Sequence, residues 1–173
     1  MAARHWVNKR HNFVIRDATP NDFGTICALN LAEISNTSAM NVDRLATLHR
    51  LSCYHKVGCV EGSIAAFLLA MRKGASYENQ NFAWFDYKYN EFIYVDRIVV
   101  SSSFRGMSLG SFLYEDLFRY ARDNGIPHVT CEYNIVPPNE ASRSFHDKFG
   151  FKEQGTQWTS NGSKRVSLQL LVL

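Results

Sequence analysis

A turn with two glycines is the part of this sequence best suited to bind an anion. It reads Phe104-Arg105-Gly106-Met107-Ser108-Leu109-Gly110. Glycine has no Cβ, so main-chain N–H groups at Gly106 and Gly110 can approach a ligand closely, and a following helix would add unpaired N–H groups and a positive dipole end. These features favour a phosphate or pyrophosphate. Many such turns use glycine only to reverse the chain, so the glycines alone leave both interpretations open.

The residues on either side of this turn predict a strand and a helix that would hold it in place. Tyr94–Val100 is apolar and β-branched, which is typical of a buried strand. From Leu109 onward, the spacing of apolar residues predicts an amphipathic helix. Asn124-Gly125 followed by Pro127 is a typical helix end, because glycine accepts the left-handed conformation and proline cannot continue the helix. The apolar positions of this helix are Leu109, Phe112, Leu113, Leu117, Tyr120 and Ala121.

Two segments of the second half of the chain resemble motifs of one enzyme family. An apolar strand followed by R-G-x-G-x-G and an amphipathic helix is the cofactor motif of the GNAT N-acetyltransferase superfamily, and Ile98–Ser111 resembles it. About thirty residues further on, Asn139–Phe151 resembles the family segment N-x-x-A-x-x-x-Y-x-K-x-G-F. Ser108, Ser142 and His146 depart from the residues that the family usually has at their positions. Two motifs in the expected order are more specific than either alone.

The resemblance implies a fold and a reaction. The fold would be an α/β (α+β) GNAT-like single domain over residues 12–173, after a flexible segment at residues 1–11. It would contain a strongly twisted mixed β-sheet of about seven strands, with helices on both faces. The reaction would be transfer of an acetyl group from acetyl-CoA to a primary amine by direct attack in a ternary complex, without a metal. The departures at Ser108 and His146 leave an alternative, a catalytically inactive module that binds acyl-CoA or is regulatory.

The same resemblance assigns a donor site. Main-chain groups of Ile98–Val100 would hydrogen-bond the pantetheine arm like an added strand, and the N–H groups of Arg105–Ser111 would bind the pyrophosphate. The Arg105 side chain either pairs with a phosphate or is an exposed turn charge. Asn139 and Ser142 would orient the pantetheine arm, with helix capping as the competing role of Asn139. The predicted cofactor-binding residues are Ile98, Val99, Val100, Arg105, Gly106, Met107, Ser108, Leu109, Gly110, Ser111, Asn139 and Ser142.

The implied reaction needs a base. An amine with a pKa of about 10 is protonated at neutral pH, so a basic group must take its proton, directly or through water. Glu132, on a predicted strand before Asn139, resembles the base position of some ribosomal-protein and N-terminal acetyltransferases. Asp96 is the second candidate. Either carboxylate can instead be structural, Glu132 as a solvated strand residue and Asp96 in an ion pair.

The implied reaction also needs an acid, because the departing thiolate gains a proton. The family commonly has tyrosine where this chain has His146. A histidine N–H can protonate a thiolate, with a protonation state that changes across physiological pH. His146 can equally pack against its own helix, in which case Tyr133 or Tyr114 would be the acid. The predicted catalytic residues are therefore Glu132, His146 and Asp96.

The rest of the chain matches the family only in the order of its elements. Thr19-Pro20-Asn21-Asp22 carries an N-cap, a proline and an acid that mark a helix start. Two early helices would form one wall of the acceptor site. The predicted elements are a strand at Phe13–Arg16, a helix ending near Ser35-Asn36, a helix at Val42–Leu51, strands at Tyr54–Val60 and Ile64–Met71, a polar loop at Arg72–Gln80, a strand at Pro127–Tyr133, a short helix after Asn139, and a closing hairpin from Phe151 to Val172 with Asn161-Gly162 near its turn.

A dense cluster of aromatic residues precedes the central strand. Aromatic side chains give large, stiff apolar contacts, so the cluster can line an acceptor pocket or a lid. It can also pack in the core or in a homodimer interface, which is the interpretation that we favour. The residues are Phe82, Trp84, Phe85, Tyr87, Tyr89, Phe92 and Tyr94.

Composition limits the class of protein. The 173 residues, of which 46% are hydrophobic, fit one domain with a buried core. A net charge of +3 without a long basic run does not indicate a nucleic-acid partner. The longest apolar run, Ile64–Met71, is too short to cross a bilayer, and the amino terminus does not resemble a secretory signal. We therefore expect a cytoplasmic protein whose partner is a small-molecule or peptide amine, and whose acceptor the sequence does not name.

The four cysteines lie in periodic segments without a C-x-x-C pattern, which is typical of reduced, partly buried thiols. Cys53, His55 and Cys59 could share a strand face and hold a metal. Strand packing explains them better, and we expect no metal site.

Overall fold

Apolar alternation and helical spacing produce strands and helices in the order that the sequence predicts. The computed structural model describes the main chain of Trp6–Asn8, residues 13–159 and residues 162–173. The strands in these residues are β1 (Trp6–Asn8), β2 (Phe13–Asp17), β3 (Tyr54–Val60), β4 (Ser63–Arg72), β5 (Ile93–Val100), β6 (His128–Val136), β7 (Lys152–Trp158) and β8 (Arg165–Val172). The helices are α1 (Phe23–Ala32), α2 (Val42–Leu51), α3 (Gln80–Lys88), α4 (Leu109–Asp123) and α5 (Glu140–Lys148).

Two compact units can be distinguished within the chain, Met1–Ala70 with Asp96–Leu117 and Met71–Val95 with Phe118–Leu173. In the first unit, the strands follow the order β1-β2-β3-β4-β5. β2 pairs antiparallel with β1 and β3, and β3 pairs antiparallel with β4. Just after β5, the N–H of Ser101 donates to the carbonyl oxygen of Ala65 at 2.8 Å.

Buried apolar side chains stabilise the first unit. Ala65–Ala70 is completely buried, so β4 is covered on both of its faces. α1 buries Phe23 and Ile26, and α2 buries Leu45 and Leu48. Helical spacing places each of these pairs on one side of its helix, where burial is favourable.

Helix α1 starts at the signals that the sequence carries. A 3-10 turn at Pro20–Asp22 precedes it, and both the N–H and the hydroxyl of Thr19 donate to Asp22, at 2.7 and 2.9 Å. The guanidinium of Arg16 donates two hydrogen bonds to the same carboxylate, at 2.7 and 2.8 Å. These hydrogen bonds, chiefly from Arg16, hold the pKa of Asp22 well below its usual range.

In the second unit, the strands follow the order β5-β6-β8-β7. β5 and β6 are parallel, and their register pairs are Ile93↔Val129 and Tyr94↔Thr130. β6 and β7 both pair antiparallel with β8. The sheet is therefore mixed, as predicted. β6 reaches Val136, three residues beyond the predicted end at Tyr133, because its ladder with β8 continues to the Val136↔Arg165 pair.

Helix α3 corrects the sequence-based prediction, which assigned no helix to the aromatic cluster. Asn79 caps this helix, because its side-chain oxygen accepts from the N–H groups of Asn81 and Phe82 at 2.8 and 3.0 Å. Phe82 and Phe85 are buried, whereas Tyr87 is 96% exposed. Most of the cluster therefore packs inward, as the favoured interpretation predicted, and the interface with a second copy stays untested.

Three further differences concern the ends of the chain. β1 makes the strand count eight instead of about seven, because Trp6–Asn8 pairs with β2. This strand lies in the segment 1–11 that the sequence predicts to be flexible, and the rest of that segment lies outside the described residues. Asn161, at the predicted turn of the closing hairpin, also lies outside them.

Candidate acyl-transfer site

The turn after β5 adopts a conformation that the sequence only partly predicts. Gly106 has φ +83° and Ser108 has φ +59°, so both residues are in the left-handed region. Glycine enters this region freely, but a serine there is strained because of its Cβ. Only Glu61 is a second non-glycine residue with positive φ in the described part of the chain. Ser108, which stands where the resemblance predicts glycine, therefore adopts the left-handed conformation at a cost in strain.

Helix α4 begins directly after this turn. The N–H of Phe112 donates to the carbonyl oxygen of Ser108 at 3.0 Å, which is the first hydrogen bond of the helix. Leu109 and Gly110 are buried, whereas Gly106 and Ser108 are exposed. A Cβ added to Gly106 would have no heavy atom within 4 Å, so the outer side of the turn is open. The open side of the turn at Gly106 therefore precedes the start of α4, and a helix N-terminus favours an anion.

Arg105, at the start of this turn, forms an ion pair with Glu33, the residue that follows α1. The guanidinium is mostly exposed, and the Glu33 carboxylate is largely covered. Asn36 also donates to this carboxylate, at 3.3 Å. The side chain of Arg105 is therefore engaged with the end of α1, which agrees with neither of its two predicted roles in full.

Asp96, the second candidate base, lies next to Arg97 in β5. Arg97 Nε donates to Asp96 Oδ2 at 2.6 Å, and the two side chains are only 7% and 3% exposed. Arg97 also donates to Asn30 Oδ1 at 2.9 Å and to the hydroxyl of Ser38 at 3.2 Å. Asp96 therefore forms the ion pair that was predicted as its structural role. Through Arg97, this pair links β5 to α1 and to the loop after α1.

Glu132, the first candidate base, lies on β6 in the second unit. Its Oε1 atom accepts hydrogen bonds from the hydroxyl of Tyr94 and from Nδ2 of Asn81, both at 2.9 Å. The Asn81 oxygen in turn accepts from Gln157. Glu132 is half-buried, so it is not the solvated strand residue of the alternative prediction. A carboxylate held by two donors in a partly buried place has the geometry of an oriented acceptor.

His146 and Tyr133 lie together in the second unit. Their rings are stacked with centroids 5.8 Å apart, and His146 is 3% exposed. Nδ1 of His146 lies 2.7 Å from the carbonyl oxygen of Ser142, so this nitrogen carries the proton of the neutral ring. Burial lowers the pKa of His146, and the Ser142 carbonyl and Asp147 oppose this shift. Burial raises the pKa of the Tyr133 phenol, which keeps its proton at neutral pH.

Asn139 and Ser142 have local roles at the start of α5. Asn139 Oδ1 accepts from the N–H of Ser142 at 3.1 Å, which is the capping role predicted as the alternative for Asn139. The Ser142 hydroxyl lies 3.3 Å from His146 Nδ1. Contact with a pantetheine arm stays a prediction for both residues.

The structure groups the predicted site residues in two sets. The first unit contains Asp96, Ile98–Val100 and Arg105–Ser111, and the second contains Glu132, Asn139, Ser142 and His146. Sequence reasoning missed Asn81 and Gln157 entirely. The Asn79 cap could have indicated the helix that positions Asn81, because asparagine before a helical segment is a start signal.

Cys53, His55 and Cys59 were considered as metal ligands, and the structure shows contacts for two of them. His55 Nδ1 lies 2.8 Å from His49 Nδ1, and His55 Nε2 is buried without a hydrogen-bond partner among the described residues. Cys53 Sγ donates to the carbonyl oxygen of Ala70 at 3.6 Å. The described residues contain no group of three or more histidine, cysteine, aspartate or glutamate side chains that could hold a metal ion. Within the same ranges, no helix is long and apolar enough to span a bilayer.

Comparison with known proteins identifies the family. The model of the Acetyltransferase (GNAT) family matches residues 28–151. A sequence comparison with curated proteins finds no match. Ard1 from Thermoplasma volcanium is similar in structure, with a TM-score of 0.75 and 18% identity over 94% of this chain and 98% of that chain.

Two further solved structures agree with this fold. The ribosomal-protein-S18-alanine N-acetyltransferase from Escherichia coli has a TM-score of 0.70 and 14% identity over 92% of this chain and 93% of that chain. A chain of the NatC complex bound to Gag peptide and CoA has a TM-score of 0.71 and 13% identity, covering 94% of this chain and 99% of that chain. The predicted fold class, a single GNAT-like domain with a mixed sheet, is confirmed.

Proposed function

Because the chain belongs to the GNAT acetyltransferase family, we propose that it transfers an acetyl group from acetyl-CoA to an amine. The turn after β5 is the observation that carries this proposal. Gly106 and Ser108 are both left-handed there, and the chain then enters α4 directly. Such a turn directs successive main-chain N–H groups outward, and this arrangement suits a pyrophosphate.

The donor would be held mainly by main-chain groups. Acetyl-CoA supplies the acetyl group and a thiolate leaving group, and N–H groups of Arg105–Ser111 bind its pyrophosphate. The ladder between β5 and β6 has its pairs at Ile93 and Tyr94, and β5 continues to Val100. Main-chain groups of Ile98–Val100 would therefore hydrogen-bond the pantetheine amides, in the manner of an added strand.

Glu132 is proposed as the base that prepares the amine. The carboxylate takes a proton from the ammonium group, directly or through one water, and the free amine then attacks the acetyl carbonyl. A C–N bond forms and the C–S bond breaks. Two hydrogen bonds to Oε1 support this role, because they hold the carboxylate in one orientation.

The thiolate that leaves must be protonated, and Tyr133 is the better proposed donor. His146 Nδ1 already donates to Ser142, so in the neutral ring Nε2 has a lone pair and no proton. The Tyr133 hydroxyl carries a proton, and it accepts a hydrogen bond from Gln169 at 3.3 Å. The protons balance in four transfers: the ammonium gives one to Glu132 before attack, Tyr133 gives one to the thiolate, the acylated nitrogen gives its second back to Tyr133, and Glu132 releases its proton to solvent.

Thiol release in the presence of acetyl-CoA and a panel of amines tests the proposed activity directly. The panel includes peptides with free amino termini, polyamines and amino acids. We favour a peptide amine as the acceptor, because one similar enzyme is named for an alanine of ribosomal protein S18 and another similar chain was solved with a Gag peptide. Calorimetry with acetyl-CoA measures donor binding separately. Absence of binding would overturn the proposal.

Gly106→Ala tests the turn itself, with Gly74→Ala as a matched control. Both glycines have nearly the same positive φ, +83° and +79°, and neither would have a heavy atom within 4 Å of an added Cβ. Alanine should therefore destabilise both proteins by about 1 kcal/mol, from the left-handed conformation alone. Only Gly106→Ala should weaken acetyl-CoA binding, by about ten-fold, because its Cβ would occupy the face offered to the phosphates.

Glu132→Gln tests the base. Glutamine keeps the size and one oxygen of the side chain but cannot take a proton, so kcat should fall by tens-fold or more. Acetyl-CoA affinity should stay within about two-fold, since the base does not bind the donor. Unchanged turnover would remove Glu132 from the mechanism.

An inactive module that binds acyl-CoA is the second candidate function. Two residues favour an inactive module, because both depart from the family's usual residues. Ser108 is strained, and His146 Nδ1 is occupied by its hydrogen bond to the Ser142 carbonyl oxygen. Acetyl-CoA binding without thiol release from any amine of the panel would select this function.

A further inference from the structure

The Asn81 side chain is fixed in one orientation at the Glu132 carboxylate. Its Nδ2 atom donates to Glu132 Oε1 at 2.9 Å, and its Oδ1 atom accepts from Nε2 of Gln157. An ionised carboxylate can only accept, so the Glu132 contact requires the nitrogen of Asn81 on that side and leaves its oxygen to accept from Gln157. The nitrogen of Asn81 therefore faces Glu132.

Helix α3 is held in place by contacts other than those of the Asn81 side-chain amide. The buried rings of Phe82 and Phe85 attach the helix, and the Asn79 side chain caps it. Asn81 itself is half-buried in the first turn. The helix thus has its own apolar and capping contacts, and the Asn81 amide is available for a role at Glu132.

We propose that Asn81, oriented by Gln157, is a positioning residue for Glu132. It aims the carboxylate and holds it as an acceptor, so that Glu132 is ready to take a proton from the amine. The inference rests on the proposed function, in which Glu132 is the base. It adds Asn81 of α3, an element in which the sequence singled out only the aromatic residues.

Tyr94 and Asn81 donate to Glu132 Oε1 from two elements, and Gln157 on a third element donates to Asn81. Tyr94 on β5 is titratable, and its hydroxyl donates at 2.9 Å. Asn81 on α3 and Gln157 on β7 are uncharged amides. Removal of the Asn81 donor takes away one hydrogen bond to Glu132 Oε1 and leaves the hydrogen bond from Tyr94.

Asn81→Asp separates positioning from packing. Aspartate has the shape of asparagine and can still accept from Gln157, but it replaces the N–H donor by a negative oxygen next to Glu132. The new carboxylate repels Glu132, which offsets the benefit of an acid in the first helical turn, so a merely structural role predicts a change in stability alone, with the kcat of the folded enzyme unchanged. The positioning role predicts that kcat falls about ten-fold or more and that the acidic limb of its pH profile moves upward by about one unit. The KM for acetyl-CoA should stay within about two-fold.

Two more variants complete the test. Asn81→Ala should lower kcat by about ten-fold, the usual effect of losing one hydrogen bond to a charged group. Gln157→Ala should have a smaller effect in the same direction, because it frees the amide to rotate. Gln80→Ala is the matched control, an exposed amide one residue earlier in the same helical turn, and it should match the wild-type protein.

A second readout does not need turnover. In protein labelled with ¹³C, the Glu132 side-chain carboxyl resonance is followed against pH in the wild type and in Asn81→Ala, which removes the N–H donor without adding a charge. A midpoint that moves upward supports the inference. A midpoint that does not move overturns it, whether or not the protein is active. A wild-type protein that transfers no acetyl group overturns the proposed function, and the carboxyl titration still decides the role of Asn81.

Discussion

The Nδ1 atom of His146 lies 2.7 Å from the main-chain oxygen of Ser142, in the preceding turn of α5. A carbonyl oxygen can only accept, so Nδ1 donates and the neutral imidazole has its lone pair on Nε2. Burial lowers the pKa of His146 and thereby favours this neutral form. A histidine in this state accepts protons more readily than it donates them, whereas the phenol of the stacked Tyr133 carries a proton.

Tyr133→Phe and His146→Phe separate these two acids. Tyr133→Phe should lower kcat by about ten-fold or more, since it removes only the proposed donor oxygen. His146→Phe keeps the stacked ring and should lower kcat by less than about three-fold. Steady-state thiol release measures both. The reverse order of effects would restore the role that the sequence predicted for His146.

Asp96→Asn should act on stability and not on the chemistry. Arg97 is buried and pairs with Asp96, so loss of the carboxylate leaves an uncompensated cation, and unfolding free energy should fall by about 3 kcal/mol. The kcat of the folded enzyme should stay within about two-fold. Urea unfolding and active-site-normalised turnover provide the two measurements.

Asp147→Asn is the matched control for that change. Asp147 pairs with Arg143 at 3.8 Å, and both side chains are more than half exposed. Exposed pairs contribute little, so this variant should change stability by less than about 0.5 kcal/mol. A large loss of kcat in Asp96→Asn, with unchanged stability, would instead support the second candidate base.

Ser108→Gly should stabilise the protein despite the usual cost of glycine. Relief of the left-handed conformation is worth about 1–2 kcal/mol and exceeds the added chain entropy of about 0.5–1 kcal/mol. The expected gain in unfolding free energy is about 0.5–1 kcal/mol. Ser103→Gly, an exposed serine in the preceding 3-10 turn without positive φ, should instead lose a similar amount. Equal effects of the two changes would contradict the strain at Ser108.

Acid should destabilise the fold through His55. Burial and the adjacent His49 lower the pKa of His55 to about 4, from an ordinary value of 6.5. Between these values the unfolded chain binds the proton and the folded chain does not, so stability is complete above about pH 6.5 and falls as the pH drops toward 4. From pH 7.5 to 5.0, the expected loss from this group is about 2 kcal/mol.

His55→Gln should remove most of that loss, whatever its effect on stability at pH 7.5. The control uses the same two proteins between pH 7.5 and 8.5, where His55 does not titrate and the curves should run parallel. Chemical unfolding at each pH gives the numbers. An unchanged slope between pH 7.5 and 5.0 in His55→Gln would show that other groups carry the acid sensitivity.

Local signals were enough to predict much of the fold. α2 has the bounds that its apolar spacing predicts, and Gly62 lies in the tight turn between β3 and β4. Helix α3 was missed because rings lie at 82, 84, 85, 87 and 89, a spacing that no single helix face explains. Asn79, an asparagine directly before the helix, was the sequence signal that could have indicated its start. β1, with three residues, is too short for any periodicity to indicate.

The site could be predicted only as far as short motifs extend. Gly106 and its neighbours are close in sequence, so the turn could be proposed from spacing alone. The contacts of Glu132 with Asn81 and of Arg97 with Asn30 join residues 51 and 67 positions apart. Such contacts depend on how elements pack, which one sequence does not encode in any local pattern.

The ion pair between Arg105 and Glu33 has a kinetic consequence. If a nucleotide phosphate pairs with this guanidinium, Glu33 at the end of α1 loses its ion pair with Arg105, and α1 belongs to the predicted wall of the acceptor site. Binding of the nucleotide would then precede binding of the acceptor amine. The two substrates should bind in a compulsory order, with the nucleotide first.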